Sequence, residues 1–176
     1  MKKTRRAAPI AVLLCICLYL SQAGQSLQPE PEPGSRGRDG KTSTVATVES
    51  RTITVRIGRR FDQVYDFLAD PKNWNQWAHG LGKSIRQSSA GWVADSDGGT
   101  AEVRFTPRNS FGIVDHYVIR PSGAQVYVPM RLIVSGQGCE LLFTLFHEPQ
   151  MSDQQFAADV GYVQRDLDGL KSLLEE

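Results

Sequence analysis

From residue 50 to residue 147 the chain alternates apolar and polar positions in short runs. Ile53, Val55 and Ile57 alternate with Thr52, Thr54 and Arg56, which predicts a half-buried strand over Thr52–Ile57 ending at Gly58. Phe61, Val64, Tyr65 and Leu68 then recur at helical spacing. Asp70-Pro71 closes that helix, because a residue before proline avoids the α region. A second short helix is expected over Pro71–Ala78, with Pro71 in its first turn. Ser84–Gln87 and Trp92–Asp95 read as short strands. Ala101, Val103 and Phe105 alternate with Glu102, Arg104 and Thr106. Ile113–Arg120, Gln125–Ser135 and Cys139–His147 complete an antiparallel meander. Asp97-Gly98-Gly99, Ser122-Gly123 and Gly136-Gln137-Gly138 mark its turns.

After residue 152 the period changes. Ser152 is a good N-cap, and Gln155 three residues later completes a capping box. Phe156, Val160, Val163, Leu167, Leu170 and Leu174 recur at alternating four and three, one apolar stripe along a long helix. At about 1.5–3 kcal/mol per buried side chain, that stripe must lie on the sheet. The elements add up to an α+β fold.

The meander can be read in register. If the Gly136 turn pairs Val134 with Cys139, then Leu132 faces Leu141, Met130 faces Phe143, Val128 faces Leu145 and Val126 faces His147. A four-residue loop over Pro121–Ala124 would put Ile113, Asp115, Tyr117 and Ile119 on the same inner face, with His116 outside. Pro129 interrupts this reading, since proline in an inner strand usually implies a bulge. A bulge there would exchange Asp115 and His116. The test is therefore which of the two points inward.

The N-terminus has a different character. Lys2, Lys3, Arg5 and Arg6 precede an apolar run from Ala7 to Leu20, followed by Ser21, Gln22 and Ala23. This is the order of a secretory signal with cleavage after Ala23; an uncleaved anchor is the alternative. Residues 24–49 are rich in Pro, Gly and charge without apolar periodicity, and read as a disordered linker. The folded domain then spans 50–176, and the protein is expected to be exported, periplasmic or extracellular. Membrane contact is expected only through the N-terminal segment, if it stays uncleaved.

Charge and cysteine content narrow the classes. The chain has 176 residues and 20 Lys and Arg; without the four at the N-terminus, the other 16 stand against 19 Asp and Glu. A mildly acidic body with no basic stripe argues against nucleic acid as a partner. Cys15 and Cys17 lie in the apolar run, so only Cys139 survives cleavage and no internal disulfide can form. Cys139 reads as a buried thiol.

The order of elements and three segments carry a family resemblance. Arg59–Trp77 (RRFDQVYDFLADPKNWNQW), Val126–Arg131 (VYVPMR) and the terminal helix resemble the START-like superfamily, also called SRPBCC. That superfamily includes polyketide cyclase-like and birch-pollen-allergen-like proteins. The resemblance implies a helix-grip fold: a seven-stranded antiparallel sheet wrapped on the long C-terminal helix, two short helices after the first strand, and a cavity between sheet and helix. It implies ligands such as lipids, quinones or polyketides, and no shared catalytic motif.

Candidate residues follow. Trp74 and Trp77 lie three apart and share a face, either walling a cavity or plugging the core. Trp77, Phe105, Tyr117, Met130 and Phe143 are the candidate apolar lining, with Asp115 as the polar contact. Asp115-His116 is the one adjacent acid–imidazole pair, and neighbours in a strand point to opposite faces, so the two cannot form a dyad. Asp115 reads either as a ligand-orienting acid or as a strand carboxylate paired with Arg131 or Arg104. Three scattered histidines give no metal spacing, and no phosphate loop or hydrolase motif appears, so neither cofactor nor metal is expected. The leading reading is non-catalytic binding or transport of an apolar small molecule. The alternative is a cyclase- or aromatase-type enzyme using Asp115 or His116 as acid–base.

Overall fold

A computed structural model describes residues 46–79, 84–89, 91–96 and 99–176. The expected signal segment and most of the expected linker lie outside the described residues, as does the turn at Asp97-Gly98. Strand β1 (Ser50–Ile57) leads to helix α1 (Phe61–Leu68) and a 3-10 helix over Pro71–Gln76. Strands β2 (Ser84–Ser88), β3 (Gly91–Ser96), β4 (Gly99–Phe105), β5 (His116–Ile119), β6 (Gln125–Val128), β7 (Met130–Ser135) and β8 (Gly138–Phe146) follow, and helix α2 (Asp153–Glu175) closes the fold.

The strands form two antiparallel sheets, in the orders β1-β8-β7 and β2-β3-β4-β5-β6. The expectation of one seven-stranded sheet is corrected to eight strands in two sheets. The cause is Pro129. The run read as one strand, Gln125–Ser135, is cut there into β6 and β7, because proline has no N–H for the ladder. No residue is inserted at the cut. His116 pairs with Val128 on one side, and Ile113 with Arg131 on the other, in a common register. Val128 and Met130 are both buried, so the inner face runs on through the break.

The β7–β8 pairing has Val134 opposite Cys139, Leu132 opposite Leu141 and Met130 opposite Phe143, as the alternation predicts. Val128 and Val126 pair instead with β5, so their expected partners Leu145 and His147 are corrected. The β5–β6 turn is also one residue tighter than expected. Arg120 N–H donates to Ala124 O at 2.9 Å, and Gly123 N–H to Arg120 O at 2.8 Å, with Gly123 at φ +85°. This one-residue change reverses the facing of β5. It puts His116 and Val118 inside and leaves Tyr117 exposed.

The core joins Ile53, Val55 and Ile57 of β1 to Val64 and Leu68 of α1 and to Leu132 and Leu141. Leu167 and Leu170 of α2 are fully buried in it. The C-terminal end of α2 is also fixed by polar bonds to the β1–α1 turn. Gly58 N–H donates to Glu175 Oε1 at 2.6 Å, Arg59 Nε to Leu174 O at 2.6 Å, and Lys171 Nζ to Arg56 O at 2.8 Å. At the other end the capping box forms, with Gln155 N–H donating to Ser152 Oγ and Ser152 N–H to Gln155 Oε1. The stripe is not buried evenly: Val160 and Val163 are only half-buried.

Candidate functional site

Val160 and Val163 belong to the stretch of α2 nearest a cavity. Val163 lines it together with Phe156 and Leu167. The facing wall comes from β5, β6 and β8, through Val118, Val126, Val128, Phe143 and Leu145. The cavity volume is about 90 Å³, taken as room for the centres of water-sized spheres. On that measure one water needs only ~10–15 Å³.

The 3-10 helix closes one end. Asp70 caps it, its carboxylate accepting Lys72 N–H at 3.0 Å, and Pro71 occupies the first turn. With three residues per turn, Trp74 and Trp77 fall above one another. Their rings sit 5.0 Å apart, and both line the cavity while packing in the core. Trp74 also meets His116 edge-on at 4.8 Å and Phe105 at 4.8 Å.

His116 is 1% exposed, and burial pushes its imidazole down from the usual 6.5 to about 3, partly offset by the Val114 backbone. It is therefore neutral near pH 7. His116 lines the cavity, and its buried Nδ1 has no hydrogen-bond partner among the described residues. Trp77 and Arg120 line it too, and their Nε1 and Nε are likewise buried and unpartnered. Among the described residues these three are the buried side-chain polar atoms left without a partner, and all three residues contribute to the wall of this cavity. Glu148, Asp159, Tyr162 and Asp166 add polar groups to the lining.

Of the candidate lining residues, Trp77 and Phe143 meet at the cavity. Phe105 lies behind it, against Trp74 and His116. Met130 is fully buried in the core. Tyr117 is on the outer face, stacked on Tyr127 at 4.9 Å. Asp115 also faces away from the cavity. It accepts Tyr127 Oη–H at 2.5 Å and Met130 N–H at 2.9 Å, and forms an ion pair with Arg131. The pairing with Arg131 is the structural role weighed for it above; Arg104 instead pairs with Glu102. Among the described residues no group of His, Cys, Asp and Glu converges as a metal site.

Sequence reasoning missed Arg120, Val118 and the cavity-facing part of α2. Val118 and Arg120 follow from His116 at every second position once the tight turn is known. Asp159 and Asp166 lie seven apart beside the apolar stripe, which places acids along one edge of it.

Comparison of the structure with solved proteins identifies the architecture. The chain superposes on the Aha1 dimer protein from Colwellia psychrerythraea with a TM-score of 0.56 at 16% identity, covering 72% of this chain and 96% of that one. It superposes on Ara h 8.0201 with a TM-score of 0.53 at 11% identity, over 73% and 98% of the two chains. DynU16, a protein of the dynemicin biosynthetic locus, gives 0.52 at 14% identity, over 72% of this chain and 47% of that one. The chain has the helix-grip fold. No protein-family model and no curated protein sequence matches it. In the helix-grip frame, the cavity lies where the sheets meet the long helix, with Trp74 of the 3-10 helix and Trp77 at its C-cap at one end.

Proposed function

We propose that this helix-grip domain binds or carries an apolar small molecule in the cavity, outside the cytoplasm. One observation carries the binding reading: a hollow walled by apolar side chains of β5, β6, β8 and α2 is also lined by Trp77, His116 and Arg120, each of which keeps a buried side-chain nitrogen unpartnered among the described residues. An apolar hollow with a few convergent polar groups is the common form of a small-molecule site. The fold shared with Ara h 8.0201 and DynU16 supports ligands of the lipid, quinone or polyketide kind. The basic and apolar N-terminal pattern supports export.

Native mass spectrometry of the gently purified protein tests the binding reading. A bound small molecule, displaced by a fluorescent fatty acid or quinone analogue, is the expected result. A ligand-free protein that takes up none of these probes overturns it. Export is tested by fusing residues 1–49 to a reporter active only outside the cytoplasm; an inactive fusion overturns that part.

A cyclase- or aromatase-type reaction is the second reading, because His116 faces the cavity. An imidazole held near 3 is a poor base at neutral pH, which supports a hydrogen-bonding role over proton transfer. Turnover of a poly-keto substrate that disappears in His116→Gln would reverse this preference.

A further inference from the structure

The cavity sets a size for what it holds. Its volume is about 90 Å³, taken as room for the centres of water-sized spheres. One water needs ~10–15 Å³ on that measure, so the space takes about six to nine waters, or as many methylene groups of similar size. A whole membrane-lipid chain is longer than that.

The wall shows where the space cannot grow. Trp74 and Trp77 stand at one end, at 1% and 2% exposure, with ring centroids 5.0 Å apart. Trp74 Nε1 donates to Leu68 O at 2.8 Å. Its ring also meets Phe105 and His116 edge-on, each at 4.8 Å. An indole tied to a backbone carbonyl and packed edge-to-face on two rings does not slide aside for a longer guest, because a close-packed interior passes strain on rather than yielding. Trp77 lines the hollow beside it. Along the wall, Leu167 is fully buried and Val128 nearly so. The half-buried Val163 is the side chain of α2 across from them. Length beyond the hollow must therefore stay outside the two tryptophans' end.

We infer that the hollow takes one apolar group of about six to nine non-hydrogen atoms, a short alkyl chain or a single ring, with the Trp74–Trp77 pair setting its depth. A longer molecule is held by its end, with the remainder outside. This rests on the cavity being a binding site, and adds the size of the group it selects.

The test is the series of straight-chain 1-alkanols from butanol to dodecanol, offered to the full chain and read by calorimetric titration. Each methylene that enters the hollow is expected to tighten binding about fourfold. The gain should stop at about six to nine carbons, with affinity level beyond that break. Val163→Phe puts a ring into the space and should move the break at least about two carbons shorter. Trp77→Leu opens the closed end and should move it at least about two carbons longer. A gain that continues unbroken to dodecanol, or one that stops well short of six carbons, overturns the size inference while leaving cavity binding intact. A break that stays in place in folded Trp77→Leu overturns the role of the tryptophan pair. Binding of no alkanol at any length overturns cavity binding itself. The series in the unmutated chain and in Val163→Phe decides the size even if Trp77→Leu fails to fold.

Discussion

The Asp115 carboxylate accepts the Met130 N–H at 2.9 Å, directly beside the gap that Pro129 leaves in the sheet. The same carboxylate takes the Tyr127 hydroxyl and pairs with Arg131. One side chain thus satisfies the first N–H after the break and ties the end of one sheet to the start of the other.

Asp115→Ala should therefore destabilise the domain by about 2 kcal/mol or more, since it strands a buried N–H and unpairs Arg131. Asp115→Asn keeps an acceptor and should lose less. Urea unfolding measures both. Ligand affinity of the folded Asn variant should be unchanged, because the side chain faces away from the cavity. Loss of binding at unchanged stability would contradict that placement.

His116 sets a pH dependence. Its folded value, about 3, lies below the usual 6.5. Between those values the unfolded chain holds the extra proton, so stability is fully present above about 6.5 and falls as pH drops toward 3. The limiting slope for one proton is about 1.4 kcal/mol per pH unit. Carboxylates titrate in the same range, so the informative quantity is a difference. The loss between pH 6.5 and pH 4 should be smaller in His116→Phe than in the unmutated protein. Identical curves would mean that the imidazole is not held neutral by burial.

Val163 faces the hollow and is half-buried, whereas Leu170 on the same helix is fully buried in the core. Val163→Phe should occupy the cavity, lower ligand affinity at least about tenfold, and change stability by less than about 1 kcal/mol. Leu170→Phe has no such space and should cost about 1–3 kcal/mol. Titration and thermal unfolding of the two variants check this. Equal stability losses would mean that the hollow is filled in solution.

Gly112 has φ +73°, and a Cβ on it would collide with the Leu132 carbonyl oxygen. Gly123 has φ +85° with nothing within 4 Å of such an atom. Both alanine variants carry the left-handed penalty of about 1–2 kcal/mol. Only Gly112→Ala must also push strand β7 away, so it should lose clearly more stability than Gly123→Ala in chemical denaturation.

The fold was legible where the pattern was local. The alternation in β1, β4 and β8, the Ser152–Gln155 capping box and the register across Gly136 depend on residues close in the chain. The facing of β5 was not legible. It turns on whether the connection around Gly123 holds three residues or four, and Pro121-Ser122-Gly123-Ala124 allows both. That single choice exchanged Asp115 for His116 at the cavity. The hollow itself leaves little trace in sequence, because apolar residues lining a void and apolar residues filling a core follow the same period. Trp77 and Met130 look alike in that respect; only packing separates them.

The bonds from Gly58, Arg59 and Lys171 fasten the C-terminal end of α2, while its first turns and middle are held by the His147–Phe156 stacking at 4.7 Å, the His147–Asp153 pair and the His79–Asp166 pair. The helix is in effect a lever with its fulcrum near Glu175 and its other arm over the hollow. Fraying of the first turns breaks the stacking and the Ser152 cap but none of the C-terminal bonds. Amide exchange along α2 should accordingly slow from the Phe156 turn toward Leu170, and a bound ligand should flatten that gradient.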